Sequence, residues 1–191
     1  MDPLAPARFP HAEAAGVALH LTQRSRARFA CFSGAHDRRA YLGWLGAYAA
    51  REGCALHAYA LLDNHAHLLV TPARDGAATR LMRALSVRYA RHLREEGEFE
   101  ARWEEGFDVE PVRARRHLLA CMRYIEHNPV RARLARVPGD YAWSSYRANA
   151  LGQENSLLTP HPLYYALGRD AAERQAAYRA SFGVLSSSRL Q

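Results

Sequence analysis

The chain has 191 residues, 49% apolar and 24% charged, enough for one well-cored domain with an appendage and short for two. No apolar run approaches the ~18–20 residues that cross a bilayer, and Met1–Pro10 lacks the apolar core of a signal peptide, so a cytoplasmic protein with no membrane partner is expected. Three widely spaced cysteines, Cys31, Cys54 and Cys121, argue for reduced thiols rather than a disulfide framework or a zinc knuckle.

All 26 basic residues are arginine, so every side-chain ammonium is replaced by a planar guanidinium fork suited to phosphates and base faces. The formal charge of +7 makes nucleic acid the leading partner class. The charge is unevenly distributed. Between Glu95 and Glu110 stand eight acidic residues against the single Arg102, which leaves 25 arginines against 11 acids elsewhere.

In chain order, 1–15 reads as an extended arm with three prolines, and Val17–Thr22 alternates weakly as a first strand. Asp37 is a plausible N-cap for a helix through Tyr41, Leu45 and Tyr48, with Gly53 as its stop. Ala55–Leu62 reads as a second strand, and Asp63-Asn64 as a turn into a third, His65–Val70, which together make a hairpin. Ala77–Arg94 is helical, with Leu81, Leu85 and Tyr89 recurring at four. Pro111 suits the first turn of another helix, ended near Asn128 by Pro129. The remainder to Gln191 mixes turns and short helical patterns and ends in Ser186-Ser187-Ser188. This order predicts an α+β fold, a ferredoxin-like antiparallel sheet with helices packed on one face. The bounds are then 1–15 for the arm and 150–191 for a C-terminal extension, with the main folded unit, 16–149, between them.

The third strand carries the chemistry. Side chains alternate along a strand, so His65 and His67 share one face while Ala66, Leu68 and Val70 share the other. Two neutral imidazoles side by side are half of a metal site, although a polar strand face with recurring histidine has the same pattern. On the later helix Tyr124 and Asn128 are four apart, and His117 and Cys121 extend the stripe. Laid over the strand, this stripe brings a phenol, an amide oxygen and two imidazoles together. That donor set suits Mg²⁺ or Mn²⁺ with positions open for phosphate oxygens. A tyrosine can act as covalent nucleophile, but an ordinary phenol is only ~0.1% ionised at pH 7, so a cation or base must assist it. The competing reading of Tyr124 is a core aromatic, and that of Asn128 a plain helix terminator. His20, His57 and His127 are expected to be structural.

The block Tyr59-Ala60-Leu61-Leu62-Asp63-Asn64-His65-Ala66-His67-Leu68-Leu69-Val70 resembles the His-hydrophobic-His (HUH) signature of single-tyrosine transposases. Arg123-Tyr124-Ile125-Glu126-His127-Asn128-Pro129-Val130-Arg131-Ala132, then Tyr141-Ala142-Trp143-Ser144-Ser145-Tyr146-Arg147, is similar to the REP-associated tyrosine transposase branch of the IS200-like transposases. Arg88-Tyr89-Ala90-Arg91 fits as well, and the resemblance spans roughly 16–149. It implies an HUH endonuclease fold and a transposase that nicks and rejoins single-stranded DNA beside repeat hairpins. Tyr124 would form a 5′-phosphotyrosine, with His65, His67 and Asn128 holding Mg²⁺ or Mn²⁺. Arg88, Arg91, Arg113, Arg116, Arg123 and Arg131 are the expected DNA contacts, and the protein acts as a monomer or homodimer. The chain departs from the family at Asp63, where proline is usual, at Ser25-Arg26, where Gly-Asn is usual, and at Trp103–Asp108, where a basic element is usual. The alternatives are a relative that binds hairpins without cutting and a metal-dependent hydrolase with a water nucleophile.

Overall fold

The computed structural model describes residues 14–26, 30–98 and 102–187; most of the expected N-terminal arm and the last serine of the 186–188 run lie outside them. Four strands, β1 (Leu19–Arg24), β2 (Cys54–Leu61), β3 (His65–Pro72) and β4 (Asp108–Pro111), form one sheet in the order β2-β3-β1-β4. Every neighbouring pair is antiparallel. Helices α1 (Ala35–Glu52) and α2 (Ala77–Glu95) connect β1 to β2 and β3 to β4. In each case the connected strands flank a third, the interleaved arrangement of the ferredoxin-like fold.

Period-two alternation divides the sheet into two apolar faces. Leu19, Leu21, Leu56, Ala66, Leu68, Val70 and Val109 bury against Tyr41 and Leu45 of α1 and Leu81, Leu85 and Tyr89 of α2. These are the helices expected on one face. Ala58, Ala60 and Leu69 bury on the other face beneath Leu118, Met122 and Ile125 of helix α3 (Arg115–Arg131). A shift in pairing between Leu56 and Ala58 lets β2 supply both layers.

Several boundaries differ from the sequence reading, β1 among them, which runs Leu19–Arg24 rather than Val17–Thr22. Helix α1 begins two residues before Asp37; the Asp37 carboxylate, inside the first turn, accepts from the Ser33 N–H at 2.7 Å, so it still ties down the entering chain. Gly53 does end the helix, in the left-handed conformation (φ 69°). Pro111 closes β4, a strand the sequence reading did not contain, and α3 starts at Arg115. Proline is tolerated there because β4 is an edge strand. Helix α3 also runs through Pro129 to Arg131, and the Asn128 amide donates to the Tyr124 carbonyl at 3.0 Å just before the proline.

The C-terminal third supports α3 from behind. Trp143–Ser145 lies along the edge of β2, with the Leu61 N–H donating to the Trp143 carbonyl (2.9 Å) and the Ser145 N–H to the Tyr59 carbonyl (3.0 Å). Helices α4 (Tyr146–Leu151), α5 (Pro162–Tyr165) and α6 (Ala171–Ser187) follow, and Tyr146, Tyr164 and Tyr178 join the α3 core. Among the described residues no helix is long and apolar enough to cross a membrane.

Candidate functional site: a tyrosine over paired histidines

On the sheet face beneath α3 the alternation that buries Leu19 and Leu21 turns His20, Thr22 and Arg24 of β1 outward, beside His65 and His67 of β3 and Asp108 and Glu110 of β4. Register places Thr22 opposite His67 and Asp108, and His20 opposite Glu110. Helix α3 crosses this row with His117, Ala120, Cys121 and Tyr124. Together they line an open cleft of about 480 Å³ whose other walls are His20, Thr22, Arg24, His67, Asp108 and Glu110. Of the stripe His117, Cys121, Tyr124 and Asn128, the first three line the cleft.

Tyr124 is 39% exposed, a high value for an aromatic at the centre of a packed helix. Its ring meets His67 edge-on at 5.9 Å and His20 at 6.0 Å, and the Arg131 guanidinium stacks on it at 5.3 Å. His65 and His67 rings stand 4.7 Å apart. The Nδ1 of His65 bonds Asn64 Oδ1 (2.6 Å), and the Nδ1 of His67 bonds His20 Nε2 (2.9 Å) and Thr22 Oγ1 (3.1 Å). His67 Nε2 is buried without a hydrogen-bond partner. A buried imidazole nitrogen without a hydrogen-bond partner, beside a second imidazole, is a donor set that fits a divalent metal.

Electrostatics keep these rings neutral. Burial pushes His67 down to about 2, with His20, His65 and Arg24 adding to the effect. Burial lowers His65 too, followed by Arg24, and burial lowers His20 against the opposing pull of Glu110. Neutral imidazole is the metal-binding form. Burial raises the Cys121 thiol to about 12, which leaves it inert in the cleft wall.

The remaining expected site residues divide. Asn128 is buried one turn beyond Tyr124 and outside the cleft lining, its amide nitrogen donating to the Tyr124 carbonyl. Arg113 and Arg116 are exposed at the start of α3, Arg123 is half-buried on it, and Arg131 covers Tyr124. Arg88 and Arg91 are not brought to the cleft. They lie on α2, on the opposite side of the sheet, where Arg88 stacks on Trp44 at 4.4 Å and both pair with Glu95.

Sequence reasoning missed His20, which sits in the cleft rather than in a purely structural place, and it missed Glu126. That carboxyl is fully buried behind Tyr124, accepting from Ser145 Oγ (2.6 Å), Asn149 Nδ2 (2.8 Å) and Tyr178 Oη (2.8 Å). Burial raises it to about 7. The signal for Glu126 was a charged residue on the apolar side of α3. The signal for His20 was its parity, since it alternates with Leu19 and Leu21. His57 and His127 are structural as expected: His57 bonds the Thr159 carbonyl and the Thr71 hydroxyl, and His127 packs near Phe182. Among the described residues one further group, His36, His92 and Glu96, has potential ligand atoms within 4.8 Å of one another. It lies at α1 and α2, away from the cleft, and His92 Nε2 is already bound to Asp37 at 3.0 Å.

The sheet is thus interleaved and antiparallel, and a half-exposed tyrosine lies across paired strand histidines. The sequence matches the model of the family described as "Transposase IS200 like" over residues 14–128, and the chain belongs to that family. Among solved structures it is similar to a REP-associated tyrosine transposase bound to a REP hairpin, with a TM-score of 0.64 and 15% identity over 84% of this chain and 93% of that one. No match was found among curated proteins.

Proposed function

We propose that the protein is a metal-dependent single-stranded DNA endonuclease and strand transferase of the REP-associated branch, acting beside repeat hairpins through Tyr124. The observation that carries this reading is the placement of the exposed Tyr124 ring against His67 and His20, above a buried imidazole nitrogen that has no protein partner. The Tyr124 hydroxyl attacks a phosphodiester and loses its proton to solvent or a neighbouring base. A Tyr–O–P bond forms to the 5′ side, the P–O3′ bond breaks, and the leaving oxygen takes a proton to become a 3′-OH. The phosphotyrosine retains the bond energy, so attack by another 3′-OH rejoins DNA without ATP. His65 and His67 are the residues to hold Mg²⁺ or Mn²⁺, with Asn128 Oδ1 as the third donor. When bound, the cation polarises the scissile phosphate and offsets the charge that develops on it. Arg131 confines the attacking ring, and Arg116 and Arg123 on the same helix, with Arg113 just before it, bind backbone phosphates. Residues 16–149 form the catalytic unit, and the described part of the 150–191 extension buttresses α3.

The test uses single-stranded oligonucleotides carrying the inverted repeats that flank the gene, with Mn²⁺, resolved on denaturing gels and by mass spectrometry. A chelator-sensitive adduct on the Tyr124 peptide, absent in Tyr124→Phe while hairpin binding persists, supports the reading. Adduct formation that survives Tyr124→Phe refutes it, and cleavage without any adduct moves the assignment to a water nucleophile. A second reading, hairpin binding without cleavage, is favoured by Asp108 and Glu110 in the cleft wall. It predicts salt-sensitive binding that is indifferent to chelator.

A further inference from the structure

We propose that the Glu110 carboxylate, acting across His20, fixes His67 in its Nδ1–H tautomer and so keeps the Nε2 lone pair uncommitted for a cation. The inference deepens the proposed function and rests on its reading of His65 and His67 as the metal pair.

A neutral imidazole has one N–H and one lone pair, and the choice at one nitrogen dictates the other. His20 Nε2 and His67 Nδ1 are 2.9 Å apart, so one donates and the other accepts, and the two tautomers are locked together. If His67 donates, its Nε2 carries the lone pair and His20 carries its proton on Nδ1. That is the nitrogen 3.7 Å from Glu110 Oε2, the residue directly opposite on β4. A carboxylate only accepts, so it selects this arrangement over its reverse. The reverse sets a lone pair of His20 against the carboxylate and leaves a buried N–H on His67 Nε2, an atom without any partner. Thr22 agrees with the same polarity. Its hydroxyl lies 3.1 Å from His67 Nδ1 and 3.4 Å from His20 Nε2, positioned to accept from the first and donate to the second.

His65 reaches the same state by a different route. Its Nδ1 lies 2.6 Å from the Asn64 amide oxygen, which can only accept, so the His65 lone pair is also on Nε2. The two strand histidines then present the same nitrogen, one through its chain neighbour and the other through a carboxylate two strands away. Metal-binding histidines are held in this manner by acceptors on their distal nitrogen. Glu110 and His20 are positioning residues in this account, because they act on the metal pair through His67. The acidic character of β4, unfavourable for phosphate, thereby acquires a use.

The test is ¹⁵N-histidine NMR on metal-free protein, with long-range ¹H–¹⁵N spectra reporting which nitrogen of His67 is protonated. Wild type is expected to show Nδ1–H. Glu110→Gln, which removes the charge that draws the His20 N–H, is expected to lose that preference in part. Glu110→Ala is expected to show a mixed tautomer together with Mn²⁺ affinity weaker by about tenfold. Glu110 is 78% exposed, so its replacement leaves folding intact, checked by the unfolding midpoint. A wild-type His67 protonated on Nε2, or an unchanged tautomer in Glu110→Ala, overturns the proposal. So does a Glu110→Gln protein that keeps the wild-type tautomer in full, since the carboxylate's charge would then play no part. A wild type that binds no Mn²⁺ removes the metal reading of the site, while the tautomer measurement still decides the role of Glu110.

Discussion

Tyr124, Arg131 and Asn128 occupy successive turns of one helix, yet each is held by a different force. The Arg131 guanidinium lies 5.3 Å from the Tyr124 ring. A contact of this type at a partly exposed site contributes roughly 0.5–1 kcal/mol. Arg131→Ala is therefore expected to slow adduct formation by about two- to fivefold with unchanged circular dichroism, measured by single-turnover gels. Asn128 donates its amide nitrogen to the Tyr124 carbonyl, so its carbonyl oxygen is the atom available to a cation. Asn128→Asp is expected to preserve Mn²⁺ binding in calorimetry, whereas Asn128→Ala weakens it by about tenfold or more. At this scale the histidine pair and the tyrosine stripe were legible because each depends on spacing along a single element. His20 and Glu110 were not, because their meaning lies in partners 47 and 90 residues away, supplied by strand register.

Helix α3 is positioned by its apolar underside and by one charged residue. Leu118, Met122 and Ile125 seat it on Ala58, Ala60 and Leu69, and Glu126 ties it to Ser145 and to Asn149 and Tyr178 of α4 and α6. Burial raises Glu126 to about 7 from an ordinary value of 4.5. Between those values the folded state binds the additional proton, so this residue's contribution to stability is present below 4.5 and is lost as pH rises toward 7. Glu126→Gln removes that dependence. Its stability relative to wild type is expected to increase across pH 4.5–7, by at most about 1.4 kcal/mol per unit, and to level off above, measured by urea unfolding at several pH values. The helices and the hairpin were readable from periodicity and Gly53. Strand β4 was not, because four residues with two acids and a proline carry no strand pattern, and only pairing to β1 makes them one.

For the whole molecule, the charge distribution governs the encounter with DNA. The arginines outnumber acids 25 to 11 outside residues 95–110, while Asp108 and Glu110 enter the cleft itself. Glu104 and Glu105, on the approach to β4, are exposed. Exposed like charges act over about 10 Å at 0.1 M salt. The double variant Glu104→Gln with Glu105→Gln is expected to tighten hairpin binding by a few fold at 50 mM salt. That gain should vanish near 0.5 M, as read by fluorescence anisotropy. An affinity independent of these residues at low salt would place the DNA elsewhere on the molecule.

The sequence alone determined the α+β order of elements, the face shared by His65 and His67, the stripe of His117, Cys121 and Tyr124, and the resemblance to the family. All of these are local, written in the periods of strands and helices or in contiguous blocks. Only the tertiary structure decided that His20 bonds His67, that Asp108 and Glu110 share the cleft with Tyr124, and that Arg88 and Arg91 lie across the sheet from it. These facts depend on which strand pairs with which and in what register. Pairing is a property of the closed sheet, and no stretch of the chain read by itself contains it.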